Sequence, residues 1–117
     1  MARADYGNFI AGDWHTEGEV VQNVNPSDLD DTIATYAFAS AEDTQAAIDA
    51  AKRAFPTWAG LTPEQRQAPL EFIGDELIRR KDEIGRLLSR EEGKPLAEGV
   101  GEVARAGQFF KFYGGEA

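Results

Sequence analysis

The chain has 117 residues, 42% of them hydrophobic, and its 21 acidic and 12 basic side chains give a formal net charge of −9. This length is typical of one domain, and the negative charge argues against a nucleic-acid partner because phosphate recognition depends on clustered Lys and Arg. The absence of cysteine excludes disulfides and thiolate zinc sites. No segment has the ~20 apolar residues of a membrane span, and the N-terminal residues lack the apolar stretch of a secretion signal. We therefore expect a cytoplasmic protein with no nucleic-acid or membrane partner.

The first third of the sequence predicts short strands. Residues 8–15 mix polar and apolar positions around a Gly-Asp turn signal, which is typical of a strand or hairpin arm. A second strand is predicted over Glu19–Val24. A third is predicted over Thr32–Phe38, where β-branched and aromatic residues are frequent. Residues 1–39 are therefore predicted to form an N-terminal β-hairpin or strand region.

From Ser40 onward the apolar spacing becomes helical. Ser40 and Asp43 resemble a capping box, and the acidic side chains after Ser40 suit the first turn of a helix. Pro56 is expected to end this helix, because proline removes a backbone donor and clashes with the preceding turn. The helical stripe before it consists of Thr44, Ile48, Ala51 and Phe55.

Two further helices are predicted before residue 93. Thr62, Pro63 and Gln65 form the start signal of the first, and Pro69 is expected to kink it. The second extends over Lys81–Arg90. The side chains predicted to be buried are Leu70, Ile73 and Leu77 in the first helix and Ile84, Leu87 and Leu88 in the second.

Residues 89–95 predict a helix end followed at once by a helix start. Arg90 places a cation in the last turn, Gly93 suits a left-handed C-terminal cap, and Pro95 suits the first position of the next helix. That last helix is predicted to extend to about Tyr113. Its stripe is Leu96, Val100, Val103, Gly107 and Phe110, and the glycines at 99, 101 and 107 indicate close packing against another element.

The run Glu-Glu-Gly-Lys-Pro at residues 91–95, with the helix and the aromatic-glycine segment 109–115 after it, resembles the N-terminal part of the aldehyde dehydrogenase superfamily. The similarity extends to other segments in the same order, so that it covers nearly all of residues 8–116. Those segments are 8–14, the Asn-Pro-Ser turn at 25–27, 39–43 and 51–58. Within the superfamily, residues 88–94 and 99–103 look most like the 2-oxoglutarate semialdehyde (2,5-dioxovalerate) dehydrogenase branch.

This resemblance implies an α/β family fold in which residues 40–117 are the helical part of an incomplete cofactor-binding domain. It also implies that NAD or NADP is bound by sequence beyond this segment. The expected partners are the remainder of the dehydrogenase polypeptide and further copies in a homo-oligomer. The family oxidises aldehydes to carboxylates through a Cys thiolate, which this chain lacks. No catalytic or cofactor-binding residue is therefore predicted here, and the chain alone is expected to have a scaffolding role without activity.

The resemblance places one acidic residue, Glu102, near a monovalent-cation site of the family. Backbone carbonyls at Asn23 and Val24 would complete part of that site, since hard oxygen ligands suit such an ion. The competing interpretation is a solvent-facing Glu102 paired with Arg105 at i+3. The only histidine, His15, is expected to face solvent rather than to act as an acid or base.

Other polar and aromatic clusters are expected to have structural roles. The acidic pairs are predicted to be solvated turn or cap residues, and the aromatic residues of 109–113 to be packed rather than to stack on bases. An alternative function is a truncated, non-catalytic helical module that binds or oligomerises with a full-length dehydrogenase. That alternative predicts a polar outer face on the last helix. Aromatic residues on more than one of its faces instead favour a segment whose partner is missing.

Overall fold

The protein is described by a computed structural model that covers residues 3–117 and contains four strands followed by four helices. This order confirms the predicted α/β fold with an N-terminal strand region and four helices. The strands are β1 (Arg3–Ile10), β2 (Asp13–Glu17), β3 (Glu19–Val24) and β4 (Thr32–Phe38). The helices are α1 (Ala41–Ala59), α2 (Pro63–Arg79), α3 (Lys81–Glu92) and α4 (Leu96–Glu116). None of the helices in residues 3–117 is both long enough and apolar enough to cross a membrane.

Packing divides the chain into two compact units. The first contains the described residues up to Asn25 together with Leu29–Ala59. The second contains Pro26–Asp28 and Gly60–Ala117. Helix α1 therefore belongs with the strands, and the short Pro26–Asp28 segment belongs with the last three helices. The predicted division at residues 39 and 40 coincides with the change from strand to helix, and as a domain assignment it stays a prediction.

The strands of the first unit form one sheet in the order β2-β1-β4-β3. The predicted hairpin is confirmed: Phe9 pairs with Trp14, and the loop residues Ala11 and Gly12 have φ values of 54° and 99°. Positive φ at both positions is what a type I′ turn requires. The β1 strand begins at Arg3, five residues before the predicted start, because its first half pairs with β4 as well as with β2.

A parallel pairing of β1 with β4 joins the two antiparallel hairpins of the sheet. Tyr6 lies opposite Tyr36 in this pairing. Beside it, the Asp5 N–H donates to Thr35 Oγ1 at 3.0 Å, and the Thr35 N–H and hydroxyl both donate to Asp5 Oδ2, at 2.9 and 2.7 Å. These bonds lower the pKa of Asp5, the Thr35 hydroxyl contributing most. The pairing was not predicted, because sequence periodicity carries no information on which strands become neighbours.

The start of α1 confirms the predicted capping box. The Asp43 N–H donates to Ser40 Oγ at 3.0 Å, and the Ser40 N–H donates to Asp43 Oδ2 at 3.0 Å. The predicted end at Pro56 was wrong, because α1 continues through Pro56 to Ala59. Proline so close to a helix end removes only one hydrogen bond, and the last turn tolerates the loss.

The face of α1 that lies towards β1 is made of alanines. A shallow groove there is lined by residues 9–11 of the hairpin and by Ala47, Ala50, Ala51 and Ala54. Of the predicted stripe, Ile48 and Phe55 are 45% and 67% exposed. The small side chains allow the helix to approach the strand, and the larger ones remain at the surface.

Helix α2 starts as predicted. The Thr62 N–H donates to Gln65 Oε1 at 2.9 Å, and the Gln65 N–H donates to Thr62 Oγ1 at 3.3 Å, with Pro63 in the first turn. The helix is unbroken through Pro69 to Arg79. The capping box therefore fixes the start of α2, and the internal proline does not divide it.

The helices of the second unit bury glycine rather than large side chains. None of the six side chains predicted to be buried is fully buried. Two of them are exposed, Ile73 at 39% and Leu87 at 42%, and the other four, Leu70, Leu77, Ile84 and Leu88, are half-buried. The fully buried helical positions are Gly74, Gly85, Gly99, Val103, Gly107 and Gly114. The prediction failed because the helices meet backbone to backbone, where the position of a glycine matters more than an apolar stripe.

These contacts form a glycine seam, by which we mean Gly74 with Gly107 and Gly85 with Gly99. A Cβ added to Gly99 would lie 2.5 Å from the Gly85 carbonyl oxygen, and one added to Gly107 would lie 2.8 Å from the Gly74 carbonyl oxygen. Close packing is therefore confirmed for Gly99 and Gly107. It was wrong for Gly101, where an added Cβ would meet nothing within 4 Å.

Substitutions on two sides of α4 should therefore have opposite effects. We expect Gly99→Ala to lower the free energy of unfolding by about 1–3 kcal/mol, because a rigid carbonyl blocks the new methyl group. We expect Gly101→Ala, two residues away, to raise it by about 0.5–1 kcal/mol through reduced backbone entropy of the unfolded chain. Urea unfolding followed by circular dichroism measures both. Equal effects of the two substitutions would contradict the seam.

Candidate functional site

The corner between α3 and α4 contains the family-like segment of the sequence. Gly93 closes α3 with φ 68° and ψ 24°, which confirms the predicted left-handed cap. The Lys94 N–H donates to the Ser89 carbonyl at 3.2 Å, and the Ser89 hydroxyl donates to the Lys94 carbonyl at 2.5 Å. Pro95 precedes the helix as its cap rather than occupying its first position, because its ψ of 139° is extended.

The Asn-Pro-Ser turn supplies part of this corner. The Ser27 hydroxyl donates to the Gly93 carbonyl at 2.7 Å, within the second unit. A Cβ added to Gly93 would collide with Ser27 Oγ and would lie 2.9 Å from Pro26 Cγ. Glycine at 93 is therefore required both by the left-handed backbone and by the space that the turn leaves.

Two carboxylates of the corner hold the ammonium group of Lys94. The Lys94 Nζ donates to Glu102 Oε1 at 2.6 Å and also forms an ion pair with Glu92. The Lys94 side chain is 18% exposed. Its hydrogen bonds, first to Glu102 and then to Glu92, raise the pKa of Lys94 above its ordinary value. Lys94 is therefore a fixed positive charge between two negative ones.

This arrangement excludes the predicted ion pair between Glu102 and Arg105. Pairing of Glu102 with Arg105 was wrong, because Lys94 is its partner and the Arg105 guanidinium lies 5.5 Å from the centroid of the Phe109 ring. Sequence reasoning missed Lys94, since a contact across a helix corner follows no i+3 or i+4 spacing. Its signal was the Gly-Lys-Pro corner, which turns residue 94 back towards α4.

The predicted monovalent-cation site combines Glu102 with the carbonyls of Asn23 and Val24. Asn23 and Val24 are half-buried residues of β3, opposite Ala34 and Thr32 of β4. They belong to the first unit and Glu102 to the second, and the site stays a prediction. Among residues 3–117, no group of three or more His, Asp or Glu side chains is arranged to hold a metal ion.

His15 lies on β2 near the start of α1. Its Nδ1 is 3.7 Å from Asp43 Oδ1, and its side chain is 45% exposed, which confirms a solvent-facing position. Hydrogen bonds from Ser40, first from the backbone and then from the hydroxyl, lower the pKa of Asp43, and the charge of His15 adds a smaller effect. The pair can link hairpin and helix electrostatically. The hydroxyl beside the pair is that of Ser40, which donates to Asp43 Oδ2 at 2.8 Å as part of the helix cap.

The described glycines do not form a cradle for a dinucleotide. Such a cradle needs glycines between a strand and a helix start, where backbone N–H groups can approach a pyrophosphate. Here Gly12 turns a hairpin, Gly93 ends a helix, and the glycines of the seam face other helices. These glycines have structural roles in a turn, a cap and helix contacts, and the absence of cofactor-binding residues from this segment stays a prediction.

The end of α4 presents aromatic side chains to solvent. Phe109, Phe112 and Tyr113 are 52%, 63% and 63% exposed, and the rings of Phe112 and Tyr113 meet edge to face at 5.3 Å. The prediction that they are packed was wrong for the described chain. Helices α2 and α3 present a further apolar groove, lined by Phe72, Ile73, Glu76, Leu77, Arg80 and Ile84.

The sequence pattern of the aldehyde dehydrogenase family matches residues 14–117. The chain belongs to this family. The resemblance noted at the Glu-Glu-Gly-Lys-Pro corner is thereby confirmed at the level of the family.

Known members show how much of a dehydrogenase the chain represents. It is 35% identical over 111 residues to a glutarate-semialdehyde dehydrogenase of Pseudomonas putida, which covers 93% of this chain. It is 36% identical over 113 residues to an alpha-ketoglutaric semialdehyde dehydrogenase of Bacillus subtilis, covering 95%. A crystal structure of an NADP-dependent enzyme of Escherichia coli superposes with a TM-score of 0.85 at 34% identity over 96% of the chain. The chain spans 23% of the length of each of these proteins.

The geometry of the corner predicts that any side chain at residue 93 strongly lowers the free energy of unfolding. We expect Gly93→Ala to lower the free energy of unfolding by about 2 kcal/mol or more, since it adds a collision to left-handed strain of about 1–2 kcal/mol. Ser27→Ala removes only one hydrogen bond and should cost about 1 kcal/mol. Urea unfolding monitored by far-UV circular dichroism gives both values. A smaller loss for Gly93→Ala than for Ser27→Ala would refute the steric argument.

The capping box at the start of α1 predicts how the stability of the fold depends on pH. The folded pKa of Asp43 lies below its ordinary value of 3.8, so its carboxylate stabilises the fold above that pH and loses this effect as the pH falls through the folded pKa. We therefore expect Asp43→Asn to flatten the decline of stability below about pH 4. Glu42→Gln removes a carboxylate from the same turn and serves as the control. Parallel stability profiles of wild type and Asp43→Asn would disprove this role.

Proposed function

We propose that the chain is the N-terminal part of an NAD(P)⁺-dependent aldehyde dehydrogenase that oxidises an acidic semialdehyde, such as 2-oxoglutarate semialdehyde, to a carboxylate. In this proposal the chain is a scaffold and does not catalyse the oxidation by itself. The observation that carries the proposal is the family match over residues 14–117 in a sequence without cysteine.

The chemistry implied by the family needs groups that this sequence lacks. Oxidation by the family mechanism would require a Cys thiolate as nucleophile, a nicotinamide as hydride acceptor and a Glu as base for hydrolysis of the thioester. Since the sequence has no thiol, we infer that the described residues position helices and strands and that groups outside this chain contact the reacting atoms. The bound nicotinamide supplies the hydride acceptor in the complete enzyme.

Two relatives support an acidic semialdehyde as substrate. The names of the Pseudomonas putida and Bacillus subtilis relatives specify glutarate semialdehyde and alpha-ketoglutaric semialdehyde, and each of these molecules has a carboxylate at the end opposite its aldehyde. A site for such a substrate needs a cationic or N–H-rich pocket for the distant carboxylate. The ammonium group of the corner, that of Lys94, is already paired with Glu92 and Glu102. The substrate carboxylate is therefore expected to bind outside this chain.

The exposed apolar surface supports a covering partner. An independent helical module should present a polar outer face on its last helix, whereas Phe109, Phe112 and Tyr113 of α4 are more than half exposed. Exposed apolar patches of this kind mark surfaces that bind protein. We infer that the partners are the remainder of the dehydrogenase polypeptide and, through it, further subunits of a homo-oligomer. Cytoplasmic location stays a prediction.

The scaffold role can be tested with the isolated chain and a chimera. We expect no NAD(P)H absorbance at 340 nm when the isolated chain is mixed with 2-oxoglutarate semialdehyde and either NAD⁺ or NADP⁺. We expect turnover when the chain replaces the matching segment of the Bacillus subtilis relative. Gly99→Val in the chimera is the matched control and should abolish turnover by opening the glycine seam.

Two results would oppose the proposal. Turnover by the isolated chain would show that it is catalytic without the missing thiol. A chimera that assembles to the size of the parent enzyme and binds cofactor, yet stays inactive, would show that this segment does not replace its counterpart as a scaffold.

A further inference from the structure

The α3–α4 corner contains two carboxylates, Glu92 and Glu102, that lie on different sides of the turn between the helices. Glu92 is the last residue of α3, and Glu102 lies two turns into α4. Between them, the ammonium group of Lys94 contacts both, at 2.6 Å in the case of Glu102 Oε1. The three side chains thus form an alternating set of charges, negative, positive and negative.

Lys94 has a largely enclosed side chain and a backbone that is fixed by hydrogen bonds. The Lys94 side chain is only 18% exposed, whereas the side chains of Glu92 and Glu102 are 48% and 53% exposed. The Lys94 backbone is also fixed, through its N–H and its carbonyl, to Ser89. Little side-chain freedom remains to be lost when the ammonium group contacts the carboxylates.

The carbonyl oxygens of the corner already have donors. The Gly93 carbonyl accepts the Ser27 hydroxyl at 2.7 Å, and the Lys94 carbonyl accepts the Ser89 hydroxyl at 2.5 Å. The Pro95 carbonyl accepts the N–H groups of residues 98 and 99 at 3.0 and 3.2 Å. A cation at this corner would therefore depend mainly on the carboxylate oxygens of Glu92 and Glu102, which are the oxygens that the Lys94 ammonium group contacts.

We propose that the Lys94 ammonium group takes the place of a monovalent cation at Glu102, so that the α3–α4 corner carries its own counter-charge. An ammonium group is a compact single positive charge with three donors and no acceptor, and it suits a set of carboxylate oxygens as a small cation does. Removal of the Lys94 charge leaves Glu92 and Glu102 facing each other without compensation. The corner then recruits a cation from solution.

The proposal does not depend on the proposed function, and it is tested on the isolated chain by unfolding alone. Thermal midpoints are measured in KCl and in choline chloride at equal ionic strength, since choline is too large to replace K⁺ between two carboxylates. We expect the wild-type midpoint to be the same in the two salts. We expect the thermal midpoint of Lys94→Met to be higher in KCl than in choline chloride by roughly 4 °C or more, at a K⁺ concentration well above the dissociation constant of K⁺.

The matched control is Lys111→Met. Lys111 belongs to α4 and, like Lys94, pairs with a carboxylate, here Asp75, but no second carboxylate is bonded to its ammonium group. Its removal should lower the midpoint equally in both salts. If Lys94→Met shows no cooperative transition, Lys94→Gln keeps a polar side chain of similar reach and is measured in the same way.

Two outcomes overturn the proposal. One is K⁺-specific stabilisation of the wild type that Glu102→Gln removes, because the carboxylate would then bind the ion while Lys94 is present. The other is a folded Lys94 variant whose midpoint is identical in KCl and choline chloride, because the two carboxylates would then need no counter-charge. Direct ²³Na NMR relaxation of wild type and variant, with K⁺ as competitor, provides an independent measurement of the same difference.

Discussion

The contact of helix backbones at the glycine seam is the constraint on which the second unit depends. Where the Gly85 carbonyl meets Gly99, and the Gly74 carbonyl meets Gly107, there is no room for a side chain. This proximity lets α4 lie against both α2 and α3 although Val103 is the only apolar residue larger than alanine that it buries fully. Dispersion between backbones therefore replaces much of the hydrophobic burial that a helical bundle of this size normally uses.

The same closeness explains the distribution of apolar side chains. Since the interhelical space is filled by backbone, residues such as Phe72 and Phe112 extend outward, at 66% and 63% exposure. Aromatic rings exposed on a chain with a net charge of −9 are the kind of apolar surface that commonly binds protein. This surface and the family match together give the scaffold proposal its physical basis.

Local signals in the sequence predicted the elements well, and they failed where tertiary packing decides. The capping boxes at Ser40 and Thr62 and the left-handed Gly93 follow from bonds within a few residues, and each is confirmed. The predicted buried faces of α2 and α3 were wrong at Ile73 and Leu87, which are exposed, and the glycines buried in their place were not predicted, because hydropathy does not distinguish a glycine in a close helix contact from one at a flexible point. The partner of Glu102 was wrong for a related reason, since the corner brings Lys94 to it over eight residues. The cation prediction rests on resemblance alone and stays untested.

The parallel pairing of β1 with β4 determines the order in which the sheet can form. Each antiparallel hairpin closes a short loop and can form on the microsecond timescale. The β1–β4 pairing, fastened by Asp5 and Thr35 across 30 residues of chain, must wait until both hairpins exist, because the entropy of the long loop is lost before its bonds are gained. Within this sheet β1 is synthesised before β4, so that until β4 pairs with it β1 has an unpaired edge open to other chains.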